Sequence, residues 1–308
     1  MKLKNKHLLG IEELSKEEIE YFLDTASSLE DISNRDIKKV PTLRGKTIVT
    51  LFLEPSTRTK TSFELAAKRL SADTMSIGKD ASSFKKGESL KDTAKTLQAY
   101  HVDAIVIRHS ASGSANFLSQ QIDASVINAG DGCHEHPTQA LLDAFTIKKK
   151  FGKLDGLKVA IIGDILHSRV ARSNIFCLTK MGARVTVVAP PTLLPVDIEK
   201  LPVDIAYRLD EVLEHSDVIY LLRVQKERQS ENLFPSIREY SRVFGLDDER
   251  IKKIKPDAMV MHPGPINRGI EISSKAADFD QSYIEEQVLS GIAVRMAVMY
   301  ALVGVADG

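Results

Sequence analysis

The chain has 308 residues, 43% hydrophobic and 27% charged, and its 42 Lys and Arg balance 42 Asp and Glu. That length exceeds one typical domain and suits two, and the composition is that of an ordinary globular protein with a sizeable core. The balanced charge excludes a global field that would draw nucleic acid or an anionic membrane, so any anion site has to be local.

In chain order, the apolar stretch near the N-terminus is stopped by Glu12 and Glu13, which leaves no signal-peptide core. Ser15-Lys-Glu-Glu18 has the spacing of a capping box ahead of a first helix. Strand-like apolar runs follow at 47–53, 74–77, 103–107 and 125–128, and Phe63, Ala66, Ala67 and Leu70 share one face of a helix. A helix over 136–150 joins the halves, with Phe151-Gly152-Lys153 as the boundary. Further strand-like runs occupy 157–162, 184–188, 217–222 and 258–261. The apolar segment 292–305 contains Arg295 and is too short to span a bilayer, so it is expected to be a buried C-terminal helix. The two cysteines, Cys133 and Cys177, point to a reducing, cytoplasmic setting without a disulfide framework. Strands alternating with helices predict an α/β protein: two doubly wound domains with parallel sheets, joined by interdomain helices.

In such sheets ligands sit beyond the carboxyl ends of the strands. Arg58, Arg108, Arg169 and Arg223 all fall there, so two domains facing one cleft would aim four guanidinium groups at one small volume. Arginine pairs two-point with phosphate or carboxylate and stays charged, so such a cluster excludes a neutral substrate. Ser56-Thr-Arg-Thr59 stands at a strand-to-helix corner, where backbone N–H groups and the helix dipole favour an anion. Its hydroxyls also suit simple helix capping. The corner lacks the glycines of a P-loop, and no Gly-x-Gly-x-x-Gly follows a strand, so ATP and NAD are poor candidates and no cofactor is expected. Cys133-His134-Glu135-His136 carries metal-binding residue types without the separated pairs of a zinc site, and no metal is assigned. His262-Pro-Gly-Pro265 reads as a stiff turn whose carbonyls accept hydrogen bonds, since Pro263 and Pro265 have no N–H to donate.

Taken together, Ser56–Thr59, Arg108-His109, His136-Pro-Thr-Gln139, Arg169, Arg223-Val-Gln225 and the His262–Pro265 turn resemble the aspartate/ornithine carbamoyltransferase family, and within it the aspartate-specific members. The resemblance covers nearly the whole chain. It implies a carbamoyl phosphate-binding domain over 1–150, an aspartate-binding domain over 151–290, and a C-terminal helix, 291–308, packing back on the first. It also implies a cytoplasmic homotrimer in pyrimidine synthesis, able to assemble further with regulatory chains or dihydroorotase. Nucleic acid and membrane partners are not expected.

The residue roles implied are specific. Ser56, Thr57, Arg58 and Thr59 would hold phosphate, while Thr59, Arg108 and His136 polarise the carbonyl oxygen; Gln139 and the turn at Pro263, Gly264 and Pro265 would orient the carbamoyl NH₂. Lys86, Arg169, Arg223 and Gln225 would bind aspartate, with Ser83 and Lys86 supplied by an adjacent subunit. The run Ser82-Ser-Phe-Lys-Lys86 leaves the serine and lysine registers open, and Lys60 stands where the family often has arginine. Ornithine-specific members carry a His-Cys-Leu-Pro turn and an Asp-x-x-Asn-Asn segment, whereas this chain has His262-Pro-Gly-Pro265 and Gly163-Asp-Ile-Leu-His-Ser-Arg169. Arg169 and Arg223 would repel a cationic acceptor side chain and clamp a dicarboxylate. The remaining alternative, a non-catalytic anion-binding protein, would need the arginines but not Thr59, His136 and Gln139 placed for a carbonyl.

Overall fold

The computed structural model describes residues 3–78, 87–224 and 236–304. The chain divides into two units, Met1–Phe145 with Leu289–Gly308, and Thr146–Val288. The divisions fall inside helices, not in a Gly- or Pro-rich linker.

In the first unit, α1 (Lys16–Glu30) opens with the expected capping box, Ser15 and Glu18 each bonding the other's backbone N–H. It is followed by β1 (Thr47–Phe52), α2 (Thr57–Arg69), β2 (Asp73–Gly78), α3 (Leu90–Ala99), β3 (Ala104–His109), α4 (Ser114–Ser119), β4 (Ser125–Asp131) and α5 (Pro137–Phe151). Every strand pair is parallel, in the order β2-β1-β3-β4. β4 is buried at every position and β1 at all but its first, so both faces of these strands are covered; that is why the segments read as continuous apolar runs. The predicted helix face is the one buried in α2, where Phe63, Ala66, Ala67 and the C-cap Leu70 are at most 1% exposed.

The second unit contains β5 (Lys158–Ile162), α6 (Arg169–Lys180), β6 (Arg184–Val188), β7 (Val203–Ala206), β8 (Val218–Leu221), α7 (Ile237–Phe244), β9 (Met259–Met261), α8 (Ser274–Ala277) and most of the approach to α9 (Ile284–Met299). Its sheet is parallel, ordered β7-β6-β5-β8-β9. β7 was not anticipated: it has only four residues at the sheet edge, with Asp204 exposed between two half-buried aliphatic residues. The helical run continues from α9 to Gly304, giving 21 residues from Ile284, longer than the segment read from the sequence. By length and composition it is apolar enough to cross a bilayer, but 61% of its apolar window is buried inside the protein.

In both sheets the strand order reverses direction once. The chain passes from β1 outward to β2 and then returns across β1 to β3; it passes from β5 outward to β7 and returns across β5 to β8. Each reversal opens a crevice at the carboxyl edge, where open α/β sheets bind ligands. The elements bordering the first crevice lead to Arg58 and contain Arg108, and those bordering the second lead to Arg169 and Arg223. The four arginines chosen from the sequence thus flank the two switch points.

Candidate functional site

At the first switch point, β1 ends at Phe52 and the chain turns through Glu54 and Pro55 into α2. Ser56 is extended (φ −164°, ψ 94°) and its carbonyl accepts the Lys60 N–H at 3.2 Å, which starts the helix. Its hydroxyl makes no cap bond, so the capping role expected from the sequence is not filled by this side chain. The first-turn N–H groups of a helix have no intrahelical acceptor, and they lie here beside the hydroxyls of residues 56, 57 and 59. Thr59 is buried, whereas Thr57 and Arg58 reach solvent. Partial desolvation lowers the Arg58 pKa, yet a guanidinium remains charged at any working pH. Lys60 lies 4.0 Å from Glu64 one turn on, a half-buried pair on the helix surface worth a few tenths of a kcal/mol.

Arg108 is the register partner of Phe52, which sets it beside the loop into α2. Its guanidinium donates to Glu54 Oε1 at 3.1 Å and to the Ala129 carbonyl at 3.3 Å, so its direction is fixed from the turn after β1 and from β4. β3 runs on through His109, so Arg108 lies within the strand and not after it.

His136 precedes α5, and its carbonyl accepts the N–H groups of Gln139 (3.0 Å) and Ala140 (3.3 Å). Pro137 occupies the first helical position, where a missing N–H costs nothing. The turn delivering His136 is organised by Asp131, whose carboxylate accepts from Gly113 N–H (2.6 Å), Asn128 Nδ2 (2.7 Å) and Glu135 N–H (3.2 Å). Burial penalises that charge, but hydrogen bonds from His134, Asn128 and Gly113 outweigh the penalty and hold Asp131 below the usual aspartate value. Glu135 turns away to accept the N–H groups of Ile11 (2.7 Å) and Glu12 (3.1 Å). His134 faces Asp131 and Cys133 is exposed, so the Cys-His-Glu-His run is spread over separate tasks. Among the described residues no three His, Cys, Asp or Glu side chains form a metal-holding group. Gln139 donates Nε2 to Asp143 Oδ1 at 3.0 Å, which assigns its amide orientation and directs Oε1 elsewhere as an acceptor.

At the second switch point, the exit from β5 is made by Gly163 (φ +128°), where a Cβ would come within 2.9 Å of the Tyr240 hydroxyl and 3.1 Å of the Leu222 side chain. The loop continues through Asp164, which accepts the His167 N–H (3.1 Å) and faces His167 Nδ1 (2.9 Å), to the N-cap Ser168, which accepts the Ala171 N–H at 3.1 Å. That cap places Arg169, buried, in the first turn of α6. Arg223 follows β8 after Leu222, and β8 is aligned with β5 so that Leu221 pairs with Ile162. β9, the next strand, leads into the His262–Pro265 turn, whose Gly264–Pro265 bond is cis. The Gly264 N–H donates to His262 Nδ1 at 2.8 Å, so the one glycine donor of the turn is used internally. That bond puts the ring proton on Nε2, 3.2 Å from Glu271 Oε1.

Ser83, Lys86 and Gln225 lie outside the described residues. Sequence reasoning passed over Glu54, Asp131 and Asp143, which aim Arg108, His136 and Gln139. Glu54 and Asp131 stood in the polar strand ends, but nothing in a sequence pairs a carboxylate with an arginine two strands away.

The family description "Aspartate/ornithine carbamoyltransferase, carbamoyl-P binding domain" matches residues 6–149, and the companion "Asp/Orn binding domain" matches residues 155–302. The chain belongs to the aspartate/ornithine carbamoyltransferase family. It is 61% identical to the aspartate carbamoyltransferase catalytic subunit of Moorella thermoacetica, with all of both chains covered. Its fold matches the aspartate transcarbamoylase of Trypanosoma cruzi solved with carbamoyl phosphate and aspartate, at a TM-score of 0.89, 31% identity and 97% of each chain. An ornithine carbamoyltransferase from Pyrococcus furiosus matches nearly as well, at a TM-score of 0.87, 29% identity and 98% of each chain. Carbamoyltransferases for two acceptors therefore share this backbone, and the choice between them has to lie in side chains.

Proposed function

We propose that the protein transfers the carbamoyl group of carbamoyl phosphate to the amine of L-aspartate, giving N-carbamoyl-L-aspartate and phosphate, a step of pyrimidine synthesis in the cytoplasm. Supporting the acceptor is the pair Arg169 and Arg223 at the second switch point, which suits a dicarboxylate and opposes the cationic side chain of ornithine. The full-length likeness to relatives named for aspartate supports the same choice.

In this reading residues 1–150 bind carbamoyl phosphate, residues 151–290 bind aspartate, and residues 291–308 belong with the first. The N–H groups and hydroxyls of Ser56, Thr57 and Thr59, with Arg58, hold the phosphate. The aspartate amine attacks the carbamoyl carbon, the C–N bond forms, and negative charge gathers on the carbonyl oxygen. Thr59, Arg108 and His136 meet that charge with donors already oriented before reaction, so little reorganisation is needed as it develops. Gln139 Oε1 and the carbonyls about Pro263, Gly264 and Pro265 accept from the carbamoyl NH₂ and fix the plane of attack. Collapse of the tetrahedral intermediate breaks the C–O bond, and the phosphate leaves with the proton given up by the amine. The donor is already activated, so positioning supplies much of the acceleration and no covalent nucleophile is required. Arg169, Arg223 and Gln225 hold the aspartate carboxylates. Lys86 and Ser83 come from a neighbouring copy in a homotrimer.

Arg223→Ala tests the acceptor assignment. The expected outcome is a KM for aspartate raised about 10-fold or more, as for a lost charge-assisted bond, with the carbamoyl phosphate requirement far less changed. Equal effects on both substrates contradict it.

A further inference from the structure

Both ends of the His262–Pro265 turn are fastened to one buried carboxyl group. Glu271 Oε1 accepts the Asn267 N–H at 2.6 Å and faces His262 Nε2 at 3.2 Å, while Oε2 accepts from Asn267 Nδ2 at 3.3 Å. Glu271 is itself held from outside the turn, since its carbonyl accepts the Leu246 N–H at 3.0 Å. The His262 N–H donates to Gln287 Oε1 at 2.9 Å, and His262, Glu271 and Gln287 are all buried.

Gly264 carries the only backbone N–H between His262 and Pro265, because the prolines have none. It donates to His262 Nδ1 at 2.8 Å, and only a ring with its proton on Nε2 accepts there. Asn267 supplies an N–H to each oxygen of Glu271, the partners of an acceptor-only carboxylate, so Glu271 demands the same tautomer from the far side of the ring. Were the Gly264 N–H released, the turn would offer a donor beside its carbonyls. A planar carbamoyl group has NH₂ at one corner and oxygen at another, and a donor repels the first and attracts the second.

We propose that Glu271 fixes the tautomer of His262 and that His262 withdraws the Gly264 N–H, so that the turn offers acceptors alone and selects a carbamoyl NH₂ over the methyl of an acetyl group. The inference rests on the reading that this turn faces the carbamoyl NH₂. His262 and Glu271 are positioning residues in it, since both act through the Gly264 backbone.

Two measurements separate the lock from that reading. Pro263-Gly264 and Gly264-Pro265 are each the only pair of their kind in the sequence, so paired isotope labelling of carbonyl carbon and amide nitrogen isolates the Pro263 and Gly264 carbonyls in NMR. In the parental protein at least one of the two signals is expected to move more with carbamoyl phosphate than with acetyl phosphate, which carries a methyl in place of NH₂. Equal responses at both overturn the reading of the turn, and the lock with it. The lock itself is tested by the ratio of kcat/KM for carbamoyl phosphate to that for acetyl phosphate, with aspartate as acceptor, because general structural damage lowers both together. His262→Leu frees the Gly264 N–H and is expected to narrow the ratio about 10-fold or more. In His262→Asn the side-chain oxygen accepts the N–H two residues on, as in an Asx turn, and most of the ratio is expected to return. Glu271→Met removes the acceptor that fixes the ring and is expected to narrow the ratio by a similar factor. Glu271→Gln is expected to keep it, because the Asn267 N–H holds the amide oxygen where Oε1 stood and that oxygen still accepts from His262. A parental ratio in a folded His262→Leu or Glu271→Met overturns the lock, and either variant suffices if the other does not fold. A conservative variant, His262→Asn or Glu271→Gln, with a ratio as narrow as its apolar counterpart overturns it as well.

Discussion

Arg58 stands in the first turn of α2 with its charge intact and solvent within reach. If the phosphate corner acts through it, Arg58→Ala is expected to cut kcat about 10²–10³-fold, the loss typical of one preorganised donor to developing charge. Steady-state kinetics on a variant with parental circular dichroism and melting checks this, and near-parental turnover excludes the role. Arginines at strand ends were legible in the sequence because each follows an apolar run, and a run's end marks the sheet edge that binds ligands. What aims them was not. Glu54 on Arg108 and Asp143 on Gln139 are ordinary surface-type residues in a sequence, and only the register of β1 with β3 and the pitch of α5 bring them to their partners.

Among the elements, the loop between β4 and α5 depends most on one side chain. Asp131 collects three N–H donors and faces His134, and it thereby fixes the turn that sets His136 at the start of α5. Asp131→Ala is expected to cost about 2–4 kcal/mol, because buried donors lose a charged acceptor, and denaturant unfolding measures it. The folded pKa of this carboxyl is depressed, so its stabilisation is complete above the unfolded value of about 4 and is lost as pH falls through the folded value. In Asp131→Ala that part of the acid-side loss should be missing. Strands and helices with strong apolar periodicity were readable at this scale. β7 was not, since four residues at an edge carry too little pattern, and the idle Ser56 hydroxyl was not, since a cap residue's identity says nothing about where its side chain turns.

Across the whole molecule, the two switch points explain why the arginines sort into two pairs, one for each sheet. Both sheets were legible as parallel α/β units from strand–helix alternation, whereas the strand order was not, because nothing local says on which side of β1 the chain returns. Lys86 is proposed to work in a neighbouring subunit's site. Mixed oligomers formed by subunit exchange from inactive Arg58→Ala and Lys86→Ala proteins should therefore recover part of the parental activity, each hybrid containing sites free of both substitutions. No recovery after verified exchange places the site within one chain.

The acceptor specificity is the central claim, since carbamoyltransferases for aspartate and for ornithine share this backbone. Purified protein given carbamoyl phosphate should convert L-aspartate to carbamoyl aspartate and release phosphate stoichiometrically, and it should leave L-ornithine unmodified under the same conditions. Preferential carbamoylation of ornithine, or binding of carbamoyl phosphate with no transfer to either acceptor, would contradict it.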